Sequence, residues 1–287
     1  VFICMENKVC NLYSSGKSIN EVSEKLKLSR SKVYRILKKN NINTKKNSSD
    51  YIEKLYKYKI DDSFFENIDS EEKAYILGFL YADGNLHKKY YHIKLKLQER
   101  DKYILEQMNK VMKSDKPLYF HKKIKNTHQN QSSIVISNKK MYFDIMKHGL
   151  YPHKTYDLSF KKTFKDELFN HFLRGFFDGD GWVCSYENNN YYKSKKTEII
   201  HNNKSNVLEV GFTGCENMCL YLQQYFEKNL KIISNIRIDK RVDNRIKSLK
   251  ITNKDGVKKF YDFIYKNSNI QLNRKKEKFD EYFKNNE

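Results

Sequence analysis

Two stretches of the chain share one hydrophobic pattern. Residues 76–84 read Ile-Leu-Gly-Phe-Leu-Tyr-Ala-Asp-Gly, and residues 173–181 read Leu-Arg-Gly-Phe-Phe-Asp-Gly-Asp-Gly. Each predicts the end of a helix. Asp69 or Ser70 offers an N-cap to the first, with Glu71 and Glu72 in the opening turn where the dipole favours anions. Thr163 and Asp166 resemble a capping box for the second. Gly84 and Gly181 are expected as left-handed stops. Gly78 and Ala82, like Gly175 and Gly179, lie four apart and so on one helical face. A face of small residues lets two helix backbones approach closely.

After each helix the period changes to two. His92, Lys94, Lys96 and Gln98 alternate with Ile93, Leu95 and Leu97. Leu208, Val210 and Phe212 alternate with Glu209, Gly211 and Thr213. Helical runs follow over 101–112 and 216–230, then strand-like runs at 118–123 and 132–137, and at 236–239 and 248–252. The fold class is therefore α+β, with a helix–strand–strand–helix–strand–strand–helix unit used twice. The repeats are placed at 69–160 and 161–287. Lys154 and Lys275 fall at corresponding places near their ends.

The N-terminal pattern is different. Val22, Leu26, Leu28, Val33, Ile36 and Leu37 have the spacing of two short crossing helices, with Ser23 at the crossing and Ser29 as an N-cap. An earlier helix, about 6–14, ends at Gly16. Residues 1–45 read as a helix-turn-helix domain whose second helix presents Arg30, Ser31, Lys32 and Arg35 to a major groove. The usual turn glycine is replaced by Lys27. A small helical bundle without a DNA role is the alternative. Residues 46–68 read as a linker containing a short helix near 51–59. The polar tract 187–206 reads as a long hairpin or loop, or as disorder.

Packing the two small-residue faces together brings Asp83 and Asp180 side by side, each at a helix C-terminus where negative charge is disfavoured. Two adjacent carboxylates also repel. A divalent cation between them resolves both conflicts, and hard oxygen donors suit Mg²⁺. Either motif alone would read as a capped turn; the duplication favours a shared site.

At this point the two motifs resemble the signature of the LAGLIDADG homing endonucleases in their single-chain, two-motif form. The departures are Tyr81, where an earlier acid often stands, and Arg174, at a position usually small. The resemblance implies two pseudo-symmetric αββαββα repeats, whose antiparallel sheets form a saddle over double-stranded DNA, and a monomer with an internal pseudo-two-fold axis. It implies that Asp83 and Asp180 hold Mg²⁺, with Mn²⁺ able to substitute, and that the carbonyls of Ala82 and Gly179 add ligands. It assigns Lys154 and Lys275 to the active site, a basic surface being the alternative. It makes Gln98 a residue that positions water, with Thr213 as its counterpart. His92, Lys94 and Lys96, with Arg237, Arg245, Lys247 and Lys250, become DNA contacts. The implied activity is site-specific hydrolysis of both strands at a long asymmetric site, leaving 3′ overhangs. A non-cleaving DNA-binding regulator or an intron RNA maturase on the same fold are the alternatives, the latter with RNA as partner.

Charge agrees with a polyanionic partner. The 287 residues carry 56 Lys and Arg against 35 acids, a formal net charge of +21. No apolar run approaches the roughly 18 residues of a membrane span. The five cysteines include no Cys-x-x-Cys pair, so neither a disulfide framework nor a zinc site is expected, and an intracellular, DNA-associated protein is the simplest reading.

Overall fold

A computed structural model of the chain describes residues 2–42, 44, 58–123, 129–193, 200–238 and 245–286. The chain divides into two compact units, Val1–Tyr58 and Lys59–Glu287. No helix among the described residues is long and apolar enough to cross a membrane.

The first unit holds α1 (Phe2–Ser14), α2 (Ile19–Leu26) and α3 (Arg30–Lys39). Ser18 and Glu21 form a reciprocal capping box at the start of α2. Ser29 Oγ accepts from the Lys32 N–H at the start of α3, at 3.3 Å. Val9, Val22, Val33, Ile36 and Leu37 make the core, with Leu26 and Leu28 packed against it. Ser23 Oγ donates to the Leu28 carbonyl at 2.5 Å and closes the corner. Lys27, in the turn, has φ +50°, the left-handed region in which glycine is free of penalty. Arg30, Ser31, Lys32 and Arg35 are all exposed on α3.

The second unit contains the same topology twice. Its first repeat runs α4 (Glu71–Asp83), β1 (Asn85–His87), β2 (His92–Gln98), α5 (Lys102–Val111), β3 (Tyr119–His121), β4 (Gln131–Ser137) and α6 (Lys139–Lys147). The second runs α7 (Phe169–Asp180), β5 (Gly181–Lys193), β6 (Ile200–Cys215), α8 (Glu216–Tyr225), β7 (Asn235–Ile238), β8 (Ile246–Ile251) and α9 (Lys254–Tyr265), then adds α10 (Asn273–Asn286). Each repeat makes one four-stranded antiparallel sheet, in the orders β1-β2-β4-β3 and β5-β6-β8-β7. The alternation predicted for the strands holds. Ile93, Leu95 and Leu97 are buried in one repeat and Leu208, Val210 and Phe212 in the other.

Helices α4 and α7 pack directly on one another at the centre. A Cβ on Gly78 would collide with the Phe172 carbonyl oxygen and lie 3.0 Å from the Phe176 nitrogen. A Cβ on Gly175 would collide with the Tyr75 carbonyl oxygen and lie 2.9 Å from the Phe79 nitrogen. The contact is reciprocal and backbone to backbone. Residues Ala74 to Tyr81 of α4 are all buried, so this helix has no polar face left to solvent.

Three expectations need correction. Gly84 and Gly181 are extended, with φ −69° and −84°, not left-handed. Glycine is needed there for space: a Cβ on Gly84 would lie 2.8 Å from the Leu80 Cα, and one on Gly181 would strike the Phe177 ring. The chain thus passes straight from helix into strand. Thr163 and Asp166 form no capping box. Helix α7 starts after a 3-10 turn, Asp166–Leu168, and its N-cap Leu168 makes no side-chain cap bond. Thr163 Oγ1 instead meets His148 Nδ1 at 2.6 Å. The linker expected at 46–68 does not extend to 68. Phe64, Phe65 and Ile68 are buried in the core of the second unit, and the Asp61 N–H donates to the Met112 carbonyl at 2.9 Å. Most of the short helix expected near 51–59 lies outside the described residues. The polar tract 187–206 is the long hairpin, one of its expected readings, and not disorder, where described: β5 and β6 stay paired from Glu187↔Asn206 out to Lys193↔Ile200.

The helix contact sets a steric test. Gly78→Ala or Gly175→Ala forces a methyl into backbone and should cost about 3 kcal/mol or more. Gly214→Ala, where a Cβ meets nothing within 4 Å, should leave urea stability nearly unchanged. Equal midpoints for the three variants would refute the packing argument.

Candidate active site

Asp83 and Asp180 are the last residues of α4 and α7. What brings them together is the second pair of small residues. A Cβ on Gly179 would collide with the Ala82 methyl and would lie 3.4 Å from Asp83 Oδ2. Asp83 therefore reaches over the end of α7, one residue from Asp180. Asp83 is exposed at its tip and Asp180 is half-buried. Burial raises the Asp180 carboxyl to about 7, helped by the charge of Asp83 and opposed by Lys154 and Lys275. Burial by the surrounding protein also raises Asp83, opposed by Lys275, Lys154 and Arg274. Two acids that each resist ionisation form an electrostatic deficit that a cation would fill.

The donor set fits a hard divalent cation. Among the described residues no three His, Cys, Asp or Glu side chains come together. The protein thus offers two carboxylates, and the remaining positions would go to water or phosphate oxygens, as Mg²⁺ prefers. The Ala82 carbonyl, expected as a ligand, accepts a hydrogen bond from Lys154 instead. An ammonium on that oxygen repels a metal ion, which argues against Ala82 as a ligand.

Both lysines are drawn to the site. Lys154 Nζ donates to the carbonyls of Tyr81 and Ala82 at the end of α4. Lys275 Nζ donates to those of Phe177 at 2.6 Å, Asp178 at 2.8 Å and Gly181 at 2.5 Å, at the end of α7. Each satisfies carbonyls that a helix terminus leaves unpaired and sits at the negative end of the dipole. Burial lowers Lys154, against the pull of Asp180 and Asp83. Burial likewise lowers Lys275 to about 8, against Asp178, Asp83 and Asp180. All four candidate groups therefore share one electrostatic neighbourhood.

The two departures from the motif have structural roles. Tyr81 donates from its hydroxyl to the His148 carbonyl at 2.5 Å. At the matching position Asp178 Oδ2 accepts from the Leu272 N–H at 2.7 Å and from the Tyr75 hydroxyl at 2.8 Å. Each ties its helix to the segment leading to its own lysine, one as donor and the other as acceptor. Arg174, fully buried, donates to the Ile264 and Ile270 carbonyls, both at 2.8 Å, and to Glu71 at 2.6 Å.

The sheets carry the remaining candidates, and their register sorts them. Continuing the pairing Asn85↔Lys94 by two residues puts Asp83 level with Lys96. Continuing Gly181↔Phe212 by one puts Asp180 level with Thr213. The counterpart of Thr213 is therefore Lys96, not Gln98. Gln98 pairs with Gln131 and lines a hollow with Glu99, Arg100, Lys123, Gln129 and Asn130. His92, Lys94 and Lys96 share the face of the first sheet opposite its core. On the second sheet Arg237 and Lys250 share that face, through Arg237↔Ser248 and Lys250↔Gly211. Lys247 does not: it has the parity of the buried Leu249 and Ile251, and lies 3.9 Å from Glu216. Arg245, just before β8, stacks its guanidinium 3.7 Å above the Tyr156 ring.

Two features escaped the sequence. A cleft of about 570 Å³ beside Asp83 is lined by Lys88, Lys89, His153 and Lys154 among others. His153 has φ +62°, a strained value for a residue other than glycine; its place between Pro152 and Lys154 was the available signal. Trp182 lies across Gly211, with its indole N–H on Glu209 at 3.2 Å. Only its being the single tryptophan marked it.

Asp180 makes a pH prediction. Its carboxyl lies near 3.8 when unfolded and about 7 in the fold. Between these values the folded chain holds more protons, so metal-free stability falls as pH rises. Asp180→Asn removes this penalty. In EDTA it should gain on the order of 2 kcal/mol over the parent at pH 8 and nothing near pH 4, read by urea denaturation. A gain that is absent at pH 8, or equal at both, would contradict the electrostatic picture.

Residues 168–265, which span the second motif and the whole second sheet, match the LAGLIDADG-like domain family. The chain is 26% identical over 201 residues to the uncharacterized protein MJ0314 of Methanocaldococcus jannaschii, covering 69% of this chain and 71% of that one. Similar solved structures include the I-LtrWI LAGLIDADG homing endonuclease bound to target DNA, at 13% identity and TM-score 0.49, covering 77% of this chain and 89% of that one. Another is the homing endonuclease I-WcaI bound to its DNA recognition sequence, at 15% identity and TM-score 0.49, covering 74% and 87%. The chain carries a LAGLIDADG-like domain over residues 168–265, and the resemblance read from its motifs is borne out there.

Proposed function

We propose that the chain is a metal-dependent DNA endonuclease that cuts both strands at a long asymmetric site. The observation that carries this reading is the pair Asp83 and Asp180 at adjoining helix ends, each helix end held by its own lysine. Asp83 and Asp180 would hold Mg²⁺, or Mn²⁺ in its place, and the bound ion supplies an activated water and stabilises the leaving 3′ oxygen. The remaining chemistry belongs to the side chains. Lys154 and Lys275 place positive charge where the scissile phosphates gain negative charge.

The two ammonium groups are not equally available. An ammonium has three N–H donors. Lys275 directs its donors to three carbonyls, whereas Lys154 directs its own to two. Lys154 thus has a donor to offer a phosphate oxygen, and Lys275 acts through its charge.

The open sheet faces would lie in the major groove. His92, Lys94 and Lys96 would read one half-site, and Arg237 and Lys250 the other, with phosphate contacts fixing the register. The halves bear different side chains, so the site should be asymmetric. Helix α3, with Arg30, Ser31, Lys32 and Arg35, would enter a further stretch of major groove. A DNA-associated place inside the cell follows from this reading.

Plasmid cleavage in Mg²⁺ tests the proposal. Asp83→Asn and Asp180→Asn should each lower double-strand cleavage to below about one-thousandth; full activity in both would sink it. Lys154→Met should lower the rate about a hundredfold and, by stripping a partner from the Tyr81 and Ala82 carbonyls, cost about 1–2 kcal/mol in urea. Lys275→Met, which strips partners from buried carbonyls, should also cost about 3 kcal/mol in urea. Replacing Arg30, Lys32 and Arg35 together by Ala should make the log–log salt dependence of DNA binding shallower by about 3. An unchanged slope would remove α3 from the interface.

A further inference from the structure

The rows of side chains across the two open sheet faces differ beside the acids. In the second sheet the row next to Asp180 reads Trp182, Gly211, Lys250 and Asn235. The matching row of the first sheet reads Asn85, Lys94 and Val135. An indole stands where the first repeat has a carboxamide, and a bare backbone stands where it has a lysine.

Trp182 is a built feature. A Cβ on Gly211 would collide with the indole ring, so the ring lies against the backbone of β6 at Gly211. The indole N–H is committed to Glu209 Oε1 at 3.2 Å. The same oxygen takes Lys250 Nζ at 2.8 Å, and Lys250 lies 5.9 Å from the indole centre. The ring is only half-buried. Its one polar atom is occupied and the neighbouring charges are paired, so what it shows to solvent is an apolar aromatic surface. In a major groove the apolar feature on a base edge is the 5-methyl group of thymine.

We propose that Trp182 is a specificity-determining residue of the second half-site, selecting a 5-methylpyrimidine close to the cut. The inference rests on the endonuclease reading above. Successive same-face residues of a strand are about 6.6 Å apart. At about 3.4 Å per base pair, Trp182 reads within about two base pairs of the position level with Asp180. The first half-site, with Asn85 and Lys94 in this row, reads through hydrogen bonds.

The test uses the full chain. Duplexes are selected from a randomised pool by binding in Ca²⁺, and each thymine of the selected site is replaced in turn by deoxyuridine, which lacks only the methyl. Binding in Ca²⁺ and cleavage in Mg²⁺ are then measured on the same duplexes. One thymine near the centre of the second half should matter, uracil there lowering affinity roughly fourfold. 5-Methylcytosine should be preferred over cytosine at that place. Trp182→Ala should erase the thymine–uracil difference, and Trp182→Phe, which keeps an apolar ring without the N–H, should retain it. Asn85→Ala should also retain it. Equal affinities for thymine and uracil at every position, a difference that survives in Trp182→Ala, or no selectable duplex would overturn the proposal. Methyl discrimination without cleavage would overturn the endonuclease reading and leave this one standing. Cleavage without methyl discrimination would do the reverse.

Discussion

Everything in the second unit depends on two helix backbones touching. Gly78 and Gly175 leave no atom between α4 and α7, and the carbonyls of Phe172 and Tyr75 occupy the space a methyl would need. A contact this close fixes the relative height of the two helices, and so the place where each ends. Ala82 and Gly179 extend the contact by one turn and bring the terminal acids to the same level. The strands then begin at once, because Gly84 and Gly181 allow the chain to leave the helix in an extended conformation against Leu80 and Phe177. Acids, lysines and sheet faces are thus positioned by one steric fact.

Around this contact the two repeats follow the same path with different chemistry. Tyr81 gives a hydrogen to the segment after α6, and Asp178 takes one from the segment before α10. Arg174 ties the last turn of α9 to the segment after it through the Ile264 and Ile270 carbonyls, where the first repeat has Leu77. The same divergence reaches the sheet faces, with Lys96 against Thr213 level with the acids and Asn85 against Trp182 one row away. Backbone symmetry is retained because both helices must present glycine to each other. Side chains outside the contact face no such demand.

This division explains what could be read from the sequence. Period and spacing revealed the repeats, the alternating strands, the small-residue faces, the paired acids and the matching lysines, since each is a local pattern. What escaped depends on distant partners. Gly84 and Gly181 look like left-handed stops, but their reason is crowding by the previous turn. Thr163 looks like a cap, but its partner is His148, at the end of the first repeat. Phe64, Phe65 and Ile68 follow a polar stretch and read as linker, although they fill the core. Gln98 and Thr213 correspond by position along a strand, but hairpin length changes that count: β1 and β2 turn after three residues, β5 and β6 after thirteen. Lys247 and Lys250 seem equivalent by charge, but three residues along a strand is an odd number and puts them on opposite faces.

The same geometry makes the site costly, and the cost points to its use. Two carboxylates at helix C-termini face their own dipoles and each other, and the surrounding protein raises both. The lysines offset part of this, but they sit on carbonyls and not on the acids. Ion pairs with Asp83 and Asp180 would have relieved the strain more directly and left nothing for a cation. Holding each ammonium on the helix end keeps it near enough to restrain the acids without pairing with them. A fold selected only for stability would have replaced one acid. Keeping both, against a carboxyl raised to about 7, is the feature that the proposed cation site accounts for.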